Sequence, residues 1–107
     1  PQAAQLETPP DGLKIHPILP SKSCITDTAA IVRNLDLVVS SDTMMSHLVG
    51  ALANPVWTLL HSSADWRWLL NRPDSPWYPT MRLFRQQERG RWDPVIEKVC
   101  AMLTELR

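Results

Sequence analysis

No apolar run in this 107-residue chain approaches the roughly 20 residues that a membrane-spanning helix requires; stretches such as 35–39 and 56–60 are interrupted within a few residues. A soluble chain is therefore expected. Only two cysteines occur, Cys24 and Cys100, far apart and without CxxC spacing, which excludes a disulfide framework or a zinc knuckle and points to a reducing, cytoplasmic setting. The three histidines, His16, His47 and His61, lack metal-ligand spacing to one another, so no metal and no cofactor is expected. The chain also lacks any excess of charge: the formal net charge is zero, which argues against a nucleic-acid footprint. No basic stretch followed by an apolar run opens the chain, and it begins at Pro1 instead of Met, so residues 1–12 read as a leading segment cut from a longer product and not as a targeting signal.

What is there is a hydrophobic fraction of 44% against 21% charged residues, enough to exclude disorder as a description of the whole and, at this length, to favour one domain over 13–107. Its neutrality hides an asymmetry. Residues 1–65 carry three basic groups against six acidic ones, whereas residues 66–107 carry eight basic groups, seven of them arginine, against five acidic ones. A bias of that size suits a phosphate better than a polynucleotide.

Periodicity alternates along the chain. Residues 13–19 alternate apolar and polar side chains at first, as a short strand would, although Pro17 lacks an amide donor and argues for an edge position or early termination. Asp27 stands as an N-cap before a helix over 28–35. Residues 35–40 then turn nearly continuously apolar and β-branched, the pattern of a strand covered on both faces. Ser40, Ser41, Asp42 and Thr43 lead into a helix whose apolar stripe is Met44, Leu48, Ala51 and Leu52. A strand at 56–60 follows, then a short helical stretch at 66–70 whose two tryptophans form a core wall. The loop 71–80 holds three prolines and is anchored by Trp77 and Tyr78. A strand at 81–85 precedes a terminal helix with Pro94 in its first turn and Val95, Val99, Met102, Leu103 and Leu106 as its core stripe. Such alternation requires crossover helices. The expected fold is α/β, three-layer, with a parallel sheet of about four strands.

Ligands of open parallel sheets collect at the carboxyl ends of strands, where helix starts present free amides. The exit at 40–43 is the most informative, because it joins strand to helix without any glycine and places hydroxyls beside open amides; a diphosphate suits it. The bland alternative is a plain N-cap cluster, with His47 a packing residue between helix and sheet. A second ligand-side loop holds Ser62, Ser63 and Arg67, where an arginine between tryptophans either extends outward from a core wall or lines a sugar or phosphate site.

The series Asp27-Thr28-Ala29-Ala30-Ile31-Val32, Leu35-Asp36-Leu37-Val38-Val39-Ser40, Asp42-Thr43, Ser46-His47-Leu48, Gly50-Ala51-Leu52 and Asn54-Pro55-Val56-Trp57 resembles the carboxyl-terminal domain of the family 9 glycosyltransferases, the heptosyltransferase-like enzymes. Asp65-Trp66-Arg67-Trp68-Leu69-Leu70 and Asp74-Ser75-Pro76-Trp77-Tyr78-Pro79 look closest to the branch in which that domain follows tetratricopeptide repeats. The resemblance implies an incomplete Rossmann-like half of a GT-B fold, binding a nucleotide-diphosphate sugar as donor. The implied donor site is Ser41, Asp42, Thr43, Met44 and His47, with Met44 standing where heptosyltransferases carry glycine. The catalytic base belongs to an amino-terminal domain of the parent chain, so this part alone is expected to be inactive. The alternative is a non-catalytic scaffold or protein-binding module of a tetratricopeptide-repeat protein.

The resemblance also implies two further strands ahead of residue 13, central in such a sheet. Without them, either the 13–19 strand moves beside the 35–40 strand or an apolar edge stays open, which as a fragment would recruit a second copy and give a homodimer.

Overall fold

The computed structural model describes residues 11–18 and 24–106, in which three helices and a three-stranded parallel sheet alternate. The helices are α1 (Ile25–Val32), α2 (Met44–Ala51) and α3 (Asp93–Glu105), and the strands are β1 (Val38–Ser41), β2 (Val56–Leu60) and β3 (Met81–Arg85). A single 3₁₀ turn, Trp66–Trp68, interrupts the passage from β2 to β3. The strands run in the order β1-β2-β3, with Val38 beside Val56 and Val56 beside Met81. The α/β class is therefore as the alternating periodicity requires.

Side-chain alternation distributes the core over both faces of the sheet. Val56 and Leu60 of β2 and Met81 and Leu83 of β3 pack with Val32, Val49 and Trp68, on the face that carries α1 and α2. Trp57 and Phe84 point the other way and pack with Val95 and Val99 of α3. The two aromatic rings meet at 5.2 Å between centroids. β2, the central strand, is buried on both faces because α2 packs over one and α3 over the other.

Several sequence expectations need correction. Residues 13–18 form no strand, and position 19 lies outside the described residues, so among the described residues the sheet has three strands instead of about four. Pro17 removes one amide, and Leu13 and Ile18 are exposed, so only Ile15 of the segment's apolar side chains is half-buried. β1 is accordingly an edge strand, and Val39 is 45% exposed instead of covered. Helix α1 starts earlier than expected: Cys24 takes the N-cap position, and Asp27, three residues on, accepts the Cys24 amide at 3.1 Å. It ends at Val32, whose carbonyl accepts the Asn54 side-chain amide at 2.9 Å.

Helix α2 also buries a different stripe. Ser46, Val49 and Gly50 face the sheet, whereas Met44 and Ala51 are exposed. Small side chains win here because Ser46 and Gly50 allow the helix to approach closely: the Ser46 hydroxyl donates to the Ser41 carbonyl at 2.6 Å, and Gly50 lies under the Tyr78 ring. The tryptophan pair divides, with Trp68 fully buried and Trp66 72% exposed, since the 3₁₀ turn ends at Leu69, whose φ of 57° reverses the chain. In α3, Val95 and Val99 are buried as expected, but Leu103 and Leu106 are exposed beyond the reach of the short sheet.

Candidate functional site

The exit of β1 is built by the turn Ser41-Asp42-Thr43. The Ser41 carbonyl accepts the Thr43 amide at 2.8 Å together with the Ser46 hydroxyl, which fixes the angle at which α2 leaves the sheet. Thr43 occupies the N-cap position in extended conformation, yet no side chain caps the helix. The Ser40 hydroxyl donates to the Ser41 carbonyl at 3.1 Å instead. Asp42, a good capping side chain, instead accepts the indole N–H of Trp68 at 3.0 Å. The first amides of α2 thus carry the positive end of the helix without a side-chain partner.

Around Asp42 three side chains, His47, Trp68 and Tyr78, converge. His47, one turn into α2, holds Nε2 4.0 Å from Asp42 Oδ1, and its ring stacks on Trp68 at 5.2 Å and 23°. Its Nδ1 and the Tyr78 hydroxyl share a 3.0 Å hydrogen bond. Tyr78 in turn lies edge-on to the imidazole and directly over Gly50. Both Asp42 and His47 stay partly exposed, so one face of the cluster is open to a ligand. A carboxylate beside an imidazole and a helix start can accept sugar hydroxyls on Asp42 and an anionic oxygen on the α2 amides. Met44 projects at the same place, 61% exposed.

Of the residues singled out by sequence, Asp42 and His47 are brought together, with Ser41, Thr43 and Met44 on the same turn. Ser62, Ser63 and Arg67 do not join them through any side-chain contact among the described residues. The Arg67 guanidinium is engaged by Asp65 at 2.9 Å and lies 5.2 Å from the centre of the Trp66 ring, and both serines are exposed at the end of β2, where the Gln86 side chain accepts the Ser62 amide at 3.2 Å. Sequence reasoning missed the contribution of Trp68 and Tyr78 to the cluster. Trp68 comes from 26 residues after Asp42 and Tyr78 from 31 after His47, and no local spacing announces such contacts. No group of three or more His, Cys, Asp or Glu side chains able to hold a metal ion occurs among the described residues.

Fold and site together define an α/β chain with a parallel sheet and a ligand-accessible strand exit. In comparison with known proteins, it is similar to protein FlbA of Caulobacter vibrioides, with 29% identity over 96 residues. That similarity covers 90% of this chain but 15% of the length of FlbA. No protein-family model and no solved structure matches the chain.

Proposed function

We propose that this chain is the nucleotide-sugar-binding part of a glycosyltransferase of the heptosyltransferase-like kind, an incomplete Rossmann-like half of a GT-B fold. In this reading the donor diphosphate rests on the first amides of α2, at Met44 and Met45, beside Ser41 and Thr43, while Asp42 and His47 face its sugar. The observation that carries the reading is the side-chain-free start of α2 beside a held carboxylate: four residues that are all good caps leave the helix uncapped, and Asp42 is held away by Trp68. Met44 narrows the approach to the amides. The acceptor and the catalytic base would come from another part of a longer polypeptide, in keeping with the small share of FlbA that the chain spans.

The test is titration of the full-length parent with a panel of nucleotide-diphosphate sugars, followed by calorimetry, with Asp42→Asn and His47→Ala as probes of the site. Saturable binding weakened by both substitutions is expected. Absence of binding to every donor would overturn the reading. A second reading, a non-catalytic docking module, is favoured by one observation: Trp66, Leu70 and Trp77 stand exposed around the 3₁₀ turn, an arrangement that suits a protein partner. Retention of a protein partner by a parent that binds no nucleotide sugar would select it.

A further inference from the structure

The carboxyl ends of all three strands lie on one side of the sheet, with Ser41 beside Leu59 and Leu60 beside Arg85. Near the end of β3, on the edge away from β1, a cleft of about 420 Å³ opens between segment 71–73 and the first turns of α3. Arg72, Pro73, Leu83, Arg85, Val95 and Lys98 wall it. Its volume suits a small molecule and not a folded partner.

Three cationic residues line this cleft, and one is neutralised. Arg72 grips Asp74 through two hydrogen bonds of 2.7 and 3.0 Å, so three cations and one carboxylate leave two positive charges, those of Arg85 and Lys98. Neither has a carboxylate partner among the described residues. Arg85 is half-buried, its Nε donating to the Arg72 carbonyl at 3.2 Å and Nη2 to the Trp68 carbonyl. Those two bonds use two of its five donors. Burial pulls its guanidinium below the ordinary arginine range, with no acid to offset the lost hydration. The first turn of α3, which has no side-chain cap, borders the same wall, with Asp93 offsetting part of its positive end.

We propose that this cleft binds a small phosphorylated metabolite, its phosphate held by Arg85 and Lys98 and its apolar part against Pro73, Leu83 and Val95. A phosphomonoester carries about −1.5 to −2 charges at neutral pH, which matches the two uncompensated cations better than a single carboxylate does. The guanidinium fork also fits two phosphate oxygens at once. The site is separate from the strand exit at Asp42, two strand spacings or about 10 Å across the sheet.

The experiment is a titration of the isotope-labelled 107-residue chain with inorganic phosphate, against sodium chloride at matched ionic strength, read by amide chemical shifts. Saturable shifts are expected at residues 71–73, 85–87 and 94–98. Affinity should fall at least fivefold in Lys98→Ala, an exposed position whose change leaves the fold intact, and at least tenfold in Arg85→Gln. If Arg85→Gln fails to fold, Lys98→Ala decides alone. Arg89→Ala, an exposed arginine outside the cleft wall, should bind phosphate as the parent chain does. Equal affinity in Lys98→Ala, an equal loss in Arg89→Ala, or identical shifts with chloride would each overturn the proposal. Shifts confined to residues 41–45 would also overturn it while leaving the donor-site reading standing.

Discussion

Replacing Gly50 by alanine sets two physical effects against each other at one position of the candidate site. In a helix interior the exchange ordinarily stabilises by about 1 kcal/mol, because alanine loses less backbone entropy on folding. Gly50 lies within α2 under Tyr78, and an added Cβ would sit 2.6 and 2.8 Å from two ring carbons and 3.0 Å from the tyrosine Cβ. Contacts that close are not relieved by a rotamer change at the tip of a side chain, since they include the root of the ring. Either α2 or the 76–79 segment must move, and overpacking of that kind costs about 1–3 kcal/mol. The expected net effect of Gly50→Ala is a destabilisation of about 1 kcal/mol, read from the urea midpoint at unchanged slope. The steric term should vanish in a Tyr78→Ala background, where the same exchange should stabilise by about 1 kcal/mol. The displaced ring would also draw the Tyr78 hydroxyl away from His47 Nδ1, 3.0 Å distant in the parent chain. A single Gly50→Ala variant more stable than the parent would refute the close packing of α2 on Tyr78.

Trp68→Phe keeps an aromatic ring in the core but removes the indole donor to Asp42, so it should cost about 2 kcal/mol by thermal or urea unfolding; an unchanged midpoint would mean that Asp42 needs no such partner. The Arg72 guanidinium holds the Asp74 carboxyl below its ordinary value of 3.8. That pair therefore stabilises the fold above the ordinary aspartate range and loses its contribution as pH falls through the lowered value, so Asp74→Asn should flatten the stability curve below about pH 4, and an identical acid slope would contradict the pairing. Sedimentation of the chain across a dilution series should reveal self-association through the free edge of β1, and a monodisperse monomer at high concentration would show that the edge needs no cover.

Where local chemistry decides structure, the residues announced it. The strand 56–60 appears at the position its apolar run requires, the strand 81–85 where Met81, Leu83 and Phe84 alternate with arginines, and Pro94 opens α3 as its fixed φ favours. The errors fall where a residue has two compatible local roles. Asp27 fits an N-cap and fits equally the third helical position, from which it reaches back to the Cys24 amide, and only the tertiary position of α1 chooses. The alternation in 13–18 is that of a strand, but a strand needs a neighbour, and no pattern within the segment supplies one. In the candidate site the exit Ser41-Asp42-Thr43 and His47 were legible because both follow from the end of an apolar run and one helical turn. Trp68 and Tyr78 were legible only as aromatic residues, since what brings them to Asp42 and His47 is the return of the chain over α2.

That return also finishes one side of the sheet and not the other. Along β3 the outer edge is closed by its own loop: the Leu83 amide donates to the Pro73 carbonyl at 2.7 Å, Asp74 bridges Arg82 in antiparallel fashion, and Arg85 ties down the carbonyls of Arg72 and Trp68. Prolines at 73, 76 and 79 remove amides that would otherwise seek another strand. Along β1 nothing comparable exists among the described residues. The Val38 amide donates toward β2, to Pro55, so the parallel alternation turns the backbone of Val39 outward, beside a half-exposed valine side chain. A sheet with one edge sealed and the opposite edge open grows in one direction only. The strand that would extend it must lie against β1, next to the exit that carries Asp42, so whatever covers that edge also borders the candidate site.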